Sequence, residues 1–199
     1  MQKNLFSDLT LKCGGQDFKV HKLVLYTQST IKSMLGSTYA EANQHTIELL
    51  EDDPDALSVL LKHLYRFHPD LSGPDGKPMT FAVKVFALAD KYAVSSLCTM
   101  ASNRFEVILD PTKDLDDYIG AIKALQGTLY EREGVLWEIV LKLTQRHVLF
   151  LVTQNDFLAS MQEMPALMVD VLKLAGTRAL SQVNGDSEHE YFGGGRRLG

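Results

Sequence analysis

The stretch from Phe6 to Val24 reads Phe-Ser-Asp-Leu-Thr-Leu-Lys-Cys-Gly-Gly-Gln-Asp-Phe-Lys-Val-His-Lys-Leu-Val and decides the fold. Leu9 and Leu11 alternate with Thr10 and Lys12, the period of two expected of a half-buried strand, and Phe18 and Val20 repeat the alternation further on. Gly14-Gly15 separates the two runs. A glycine pair takes the positive φ angles that a two-residue hairpin turn requires, so residues 9–20 predict an antiparallel hairpin. Near His21 the apolar spacing becomes helical.

Working outward, Thr46-Ile47-Glu48-Leu49 predicts a short third strand, and Glu51-Asp52-Asp53-Pro54-Asp55 predicts a helix start rather than a cation site. Asp53 is able to cap free backbone N–H groups, Pro54 suits the first helical position, and Asp55 suits the positive end of the helix. Leu57, Leu60, Leu61 and Leu64 then fall on one face.

Ser-Asp, a strand, Gly-Gly, a second strand and Phe-x-Val-His-Lys-x-Val-Leu together resemble the opening of a BTB/POZ domain, a protein-interaction module. Further matches follow in the family's order. Gln28-Ser29-Thr30-Ile31-Lys32-Ser33-Met34-Leu35 is similar to its Ser-x-x-Phe-x-x-Met-Leu helix. Leu64-Tyr65 is similar to its Leu-x-Tyr-Leu-Tyr segment. Leu88-Ala89-Asp90-Lys91-Tyr92-Ala93-Val94 is similar to a junction between two late helices, with Leu97, Ala101, Phe105 and Ile108 continuing helically. The resemblance implies an α+β fold in which a short β-sheet is flanked by a cluster of α-helices. It covers residues 5–109.

Asp110-Pro111 ends that pattern, because proline lacks the donor and fixes φ. Three apolar stripes follow: Leu115, Tyr118, Ile119, Ile122 and Leu125; Leu136, Ile139, Val140 and Leu143; and Leu167, Met168, Val171, Leu172 and Ala175. They predict an all-α extension over residues 110–180, packed on itself and on the end of the first domain. From Ser181 onward Gly, Asn, Ser and acidic residues take over, so residues 181–199 are expected to form a flexible tail. Between His68 and Met79, Pro69, Gly73, Pro74, Gly76 and Pro78 predict a loop longer than the family's, read either as a tolerated insertion or as a partner-selective element.

Composition narrows the function. With 199 residues, 45% hydrophobic and 23% charged, the chain has material for a substantial core, and a net charge of -5 gives no footprint for nucleic acid. No apolar run reaches the ~20 residues that span a bilayer, and the N-terminus lacks the apolar core of a secretory signal. The expected setting is intracellular, cytoplasmic or nuclear, with no membrane, nucleic-acid or small-molecule partner. Cys13 and Cys98 are distant in sequence and expected to be unpaired, Cys98 buried.

Catalytic material is poor, and no enzyme, cofactor or metal is expected. The resemblance gives His21 a packing and capping position at a strand–helix junction. His63, His68 and Asp70 lack the tight paired spacing of zinc sites. Gly193 to Gly195 before Arg196-Arg197 lacks the strand and helix of a phosphate loop. Protein binding is more specific. Tyr39-Ala40-Glu41 fits a hydrophobic-x-Glu pattern, and the resemblance implies that Tyr39 and Glu41 bind a cullin scaffold, as in ubiquitin-ligase adaptors of this family. The alternative is that Tyr39 covers the core while Glu41 is solvated. A competing function is a self-associating scaffold, or a transcription-related oligomerisation protein, without cullin binding. With Met1 to Leu5 alone ahead of Phe6, the N-terminal strand and helix that many such dimers exchange are expected to be missing, as is a recognisable substrate domain or zinc finger.

Overall fold

The computed structural model describes residues 7–28, 45–128, 134–173 and 176. Strands β1 (Leu9–Cys13) and β2 (Gln16–Val20) pair antiparallel with Leu9 opposite Val20 and Cys13 opposite Gln16, which leaves Gly14 and Gly15 as the turn. Their φ angles of 54° and 77° lie in the left-handed region that glycine enters without strain. Gly14 meets a second constraint, because a Cβ there would stand 2.8 Å from Pro54 Cγ. The turn therefore sits tightly on the segment that begins the next long helix.

Helix α1 (Lys22–Gln28) follows, and β3 (Thr46–Leu49) returns parallel to β1, giving the order β2-β1-β3. The central position of β1 explains one departure from simple alternation. Thr10, expected on the solvent side, is buried, and its hydroxyl accepts a 2.8 Å hydrogen bond from Lys19 Nζ.

Four helices complete the first of two compact units: α2 (Pro54–Leu64), α3 (Pro78–Lys91), α4 (Ser95–Ile108) and α5 (Leu115–Thr128). Leu57, Leu60, Leu61 and Leu64 are buried as the spacing predicts, each contributing about 1.5–3 kcal/mol on removal from water. They share one core with Leu9, Leu11, Val20 and Leu25 and with Val85, Leu88, Tyr92, Leu97 and Ala101 of α3 and α4. The predicted loop ends two residues early. Pro78 and Met79 form the first turn of α3, because proline costs nothing at a position whose N–H has no helical partner.

The described residues up to Trp137 form this unit and those from Glu138 onward a second, the division falling inside α6 (Val135–Arg146). Helix α5 thus groups with the sheet-bearing core. The second unit contains the rest of α6, α7 (Val148–Leu151), α8 (Asn155–Glu163) and a helical stretch at 165–173. Helices α7 and α8 have no counterpart among the three predicted stripes. The third stripe is buried at Leu167 and exposed at Met168 and Leu172, while Ala175 and residues 181–199 lie outside the described residues. The cysteines are unpaired, but Cys13 is the buried one and Cys98 is half-buried, because α4 turns Leu97 and Ala101 inward and leaves Cys98 at the margin. Among the described residues no helix is long and apolar enough to cross a membrane.

Candidate protein-binding surface

Tyr39 and Glu41, and the helix expected around Ser29 to Leu35, fall in the segment 29–44, outside the described residues. The elements that flank that segment are described: α1, whose start is tied to the residue ahead of β1, and β3, which pairs with β1.

At the start of α1, Asp8 Oδ1 accepts the Lys22 N–H at 2.8 Å, and the His21 carbonyl accepts Val24 and Leu25 N–H, so three of the first-turn donors are met. His21 is held from α2: its backbone N–H donates to Tyr65 Oη at 2.8 Å, and its Nδ1 lies 2.8 Å from the same oxygen. Partial burial pushes the Tyr65 phenol up, against the lowering effect of the bond donated by His21. The neutral hydroxyl accepts from the backbone and has its own proton available for Nδ1. His21 therefore has the packing and capping role implied by the resemblance, with its ring committed to a tyrosine. On the return side, Thr10 N–H donates to the His45 carbonyl at 2.8 Å, one residue ahead of the parallel β1–β3 ladder.

The acidic run before α2 is structural. Asp53 Oδ1 accepts Asp55 and Ala56 N–H at 3.0 Å each, and Oδ2 pairs with Lys84 Nζ at 2.9 Å. Partial burial of Asp53 works against ionisation, but the Lys84 hydrogen bond and the two helix N–H groups outweigh it and hold the carboxyl below its ordinary range. Asp52, its side chain 3% exposed, pairs with Lys91 Nζ at 2.7 Å and accepts the Tyr92 hydroxyl, while its carbonyl accepts the Cys13 thiol at 3.1 Å. This polar knot joins the hairpin, the start of α2 and the end of α3.

None of these groups is set up for covalent chemistry. Burial raises the thiol pKa of Cys13, with the Asp52 charge adding to it, and burial likewise raises that of Cys98. Neither is an activated thiolate. His63 Nε2 is 2.8 Å from Ser96 Oγ, and burial lowers its pKa. Asp70 bonds the N–H and hydroxyl of Ser72, and among the described residues no cluster of three or more His, Cys, Asp or Glu is gathered for a metal. The loop before α3 leaves a small cleft lined by Asp53, Pro74, Asp75, Lys77 and Lys84, in which Asp53 is already committed to the α2 cap and Lys84.

Comparison with known proteins gives the same direction. The family model described as "BTB/POZ domain" matches residues 1–108, more than half of the chain. The chain is 26% identical over 98 residues to human Kelch repeat and BTB domain-containing protein 4, covering 49% of this chain and 17% of that protein. It is 29% identical over 112 residues to human Kelch-like protein 41, covering 56% and 18%. Similarity to the Arabidopsis thaliana BTB/POZ and MATH domain-containing protein 4 is 25% over 178 residues, 84% of this chain and 37% of that protein, so it runs beyond the matched domain into the helical region. The chain thus spans well under half the length of these curated relatives.

Proposed function

The chain belongs to the BTB/POZ domain family, and from that premise we propose that it is an adaptor that recruits a cullin-type ubiquitin-ligase scaffold through Tyr39 and Glu41. The BTB/POZ domain is a protein-interaction module. The observation that carries the finer reading is the position of Tyr39-Ala40-Glu41 within the matched domain, in the connection between α1 and β3. The element before that connection is anchored at its start by the Asp8–Lys22 bond, and the connection returns to β1 through the bond from Thr10 N–H to the His45 carbonyl.

Calorimetry of the chain with a cullin N-terminal domain tests this. Binding at micromolar affinity or tighter, about -8 kcal/mol, is expected, with loss of detectable binding in the Tyr39→Ala, Glu41→Ala double variant. Unchanged affinity of the double variant overturns the assignment. Light scattering on the same sample reads the other arm: no cullin binding together with a dimeric or larger mass replaces the adaptor by a self-associating scaffold.

A further inference from the structure

The loop between α2 and α3 is pinned at three residues and loose beyond them. Leu71 is buried in the core of the first unit. Gly73, with φ of 78°, lies so close to α3 that a Cβ there would stand 3.0 Å from Phe81 Cβ. The Asp70 carboxyl is committed to the N–H and hydroxyl of Ser72. At Asp75 and Gly76 these constraints end. Both residues are exposed, and a Cβ at Gly76, whose φ is 67°, would meet nothing within 4 Å. Among the described residues the Gly76 N–H donates no hydrogen bond, and the Asp75 carboxyl has neither a hydrogen-bond nor an ion-pair partner. The two lysines of the adjoining cleft are held elsewhere, Lys77 by Asp116 and Lys84 by Asp53.

An aspartyl carboxyl closes a five-membered ring on the nitrogen of the next residue when three conditions coincide. The carboxyl is not held by partners, the following N–H is not bonded, and the next residue has no side chain to crowd the attack. Other aspartates of the first unit fail at least one of them. Asp53 and Asp110 precede proline, which has no N–H. Asp55 precedes Ala56, whose N–H is bonded to Asp53 Oδ1, and Asp70 is held by Ser72. Asp75 meets all three.

We propose that Asp75-Gly76 is a site of spontaneous isomerisation to isoaspartate. The Gly76 nitrogen attacks Cγ of Asp75 in its acid form. As the N–Cγ bond forms the Cγ–OH bond breaks, and the hydroxyl leaves with the amide proton as water. Water then opens the succinimide at one of its two carbonyl carbons. Attack at Cγ restores aspartate, whereas attack at the backbone carbonyl leaves the chain running through Cβ and Cγ with the α-carboxylate as its side group. Nothing is oxidised or reduced, and mass and charge equal those of the starting chain. The product carries one extra backbone methylene between the pinned Gly73 and Pro78, the first residue of α3, so a partner that reads this loop meets two forms of it.

The test holds the full chain warm for several weeks in mildly acidic buffer in which circular dichroism shows it folded. The tryptic peptide of residues 67–84 is then fragmented by electron transfer, which cleaves the Cα–Cβ bond of isoaspartate and so distinguishes it from aspartate. Asn184-Gly185, open to related chemistry, lies outside the described residues and in a different tryptic peptide. Isoaspartate at position 75 is expected to accumulate at no less than about a third of its rate in a synthetic peptide of the same sequence, because an exposed loop segment opens at almost no cost in free energy. In Asp75→Glu, where closure needs a six-membered ring, the signal from this peptide is expected to vanish. A slower rate in the folded chain, isoaspartate at Asp70 ahead of Asp75, or an undiminished signal in Asp75→Glu overturns the proposal.

Discussion

Helices α2 and α3 both begin with proline, and both leave the same two N–H groups, those of the second and third helical residues, in need of an acceptor. In α2 the residue immediately ahead supplies it: Asp53 Oδ1 accepts from Asp55 and Ala56. In α3 the residue ahead is Lys77, which has no acceptor to offer. There Asp117 reaches across from α5, accepting Met79 N–H with Oδ2 at 2.7 Å and Thr80 N–H with Oδ1 at 3.0 Å. The two N–H bonds of the local cap shape its own helix, with Asp53 Oδ2 left for a surface pair to Lys84 of α3, whereas the distant cap commits both oxygens to N–H groups of another helix. Gly120 allows that close approach, since a Cβ there would stand 2.9 Å from Thr80 Oγ1. Identical backbone chemistry thus serves secondary structure in one place and tertiary structure in the other.

Removing the distant carboxylate should break this contrast most severely. Asp117 is fully buried, so Asp117→Ala strands the buried Met79 N–H and the half-buried Thr80 N–H and loosens the interface, a loss of about 3–5 kcal/mol in urea denaturation. Asp117→Asn, which keeps one acceptor but turns an amide N–H₂ towards the second donor, should recover less than half of that. Asp53→Ala should cost about 1–2 kcal/mol, because water reaches the α2 start and partly replaces the cap. If the two alanine variants cost the same, burial of the distant cap contributes nothing and the contrast fails.

Acid sharpens the same comparison. The folded-state pKa of Asp53 is depressed, so its stabilisation is fully present above the ordinary carboxylate range and is lost as pH falls through the depressed value. The difference between wild type and Asp53→Ala should therefore be largest near neutrality and shrink in denaturation curves taken at about pH 3. The smallest effect is expected beside the α3 start. The Lys77–Asp116 pair is 2.7 Å long but 49% and 82% exposed, so water screens it, and Lys77→Ala should leave the urea midpoint unchanged.

The contrast also marks what could be read in the sequence. Asp53-Pro54-Asp55, Gly14-Gly15 and the Leu88–Val94 junction are legible because each solves its hydrogen-bonding problem within a few residues. Asp117 sits in the first turn of α5, where an acidic residue suits its own helix; nothing in its neighbourhood points to α3. Helices α7 and α8 escaped because α7 is four residues long and the buried set of α8 includes Ser160. Arg66, the left-handed residue just past α2 with φ of 61°, gave no warning, since such a position usually announces itself as glycine. Tyr39-Ala40-Glu41 shows the opposite imbalance: it was found as a pattern of three side chains, and its meaning depends on which protein meets them.

Strand β1 has neighbours of very unequal history. It meets β2 across two glycines, but it meets β3 only after the chain has passed through α1 and everything up to His45. Hairpin closure takes microseconds, whereas a parallel pairing across a long intervening segment bears a larger loop-closure entropy and comes later on the folding path. In reverse, β3 is expected to separate from β1 before β2 does in sub-global fluctuations, and hydrogen exchange at the Thr10 amide, bonded to the His45 carbonyl, reads that opening.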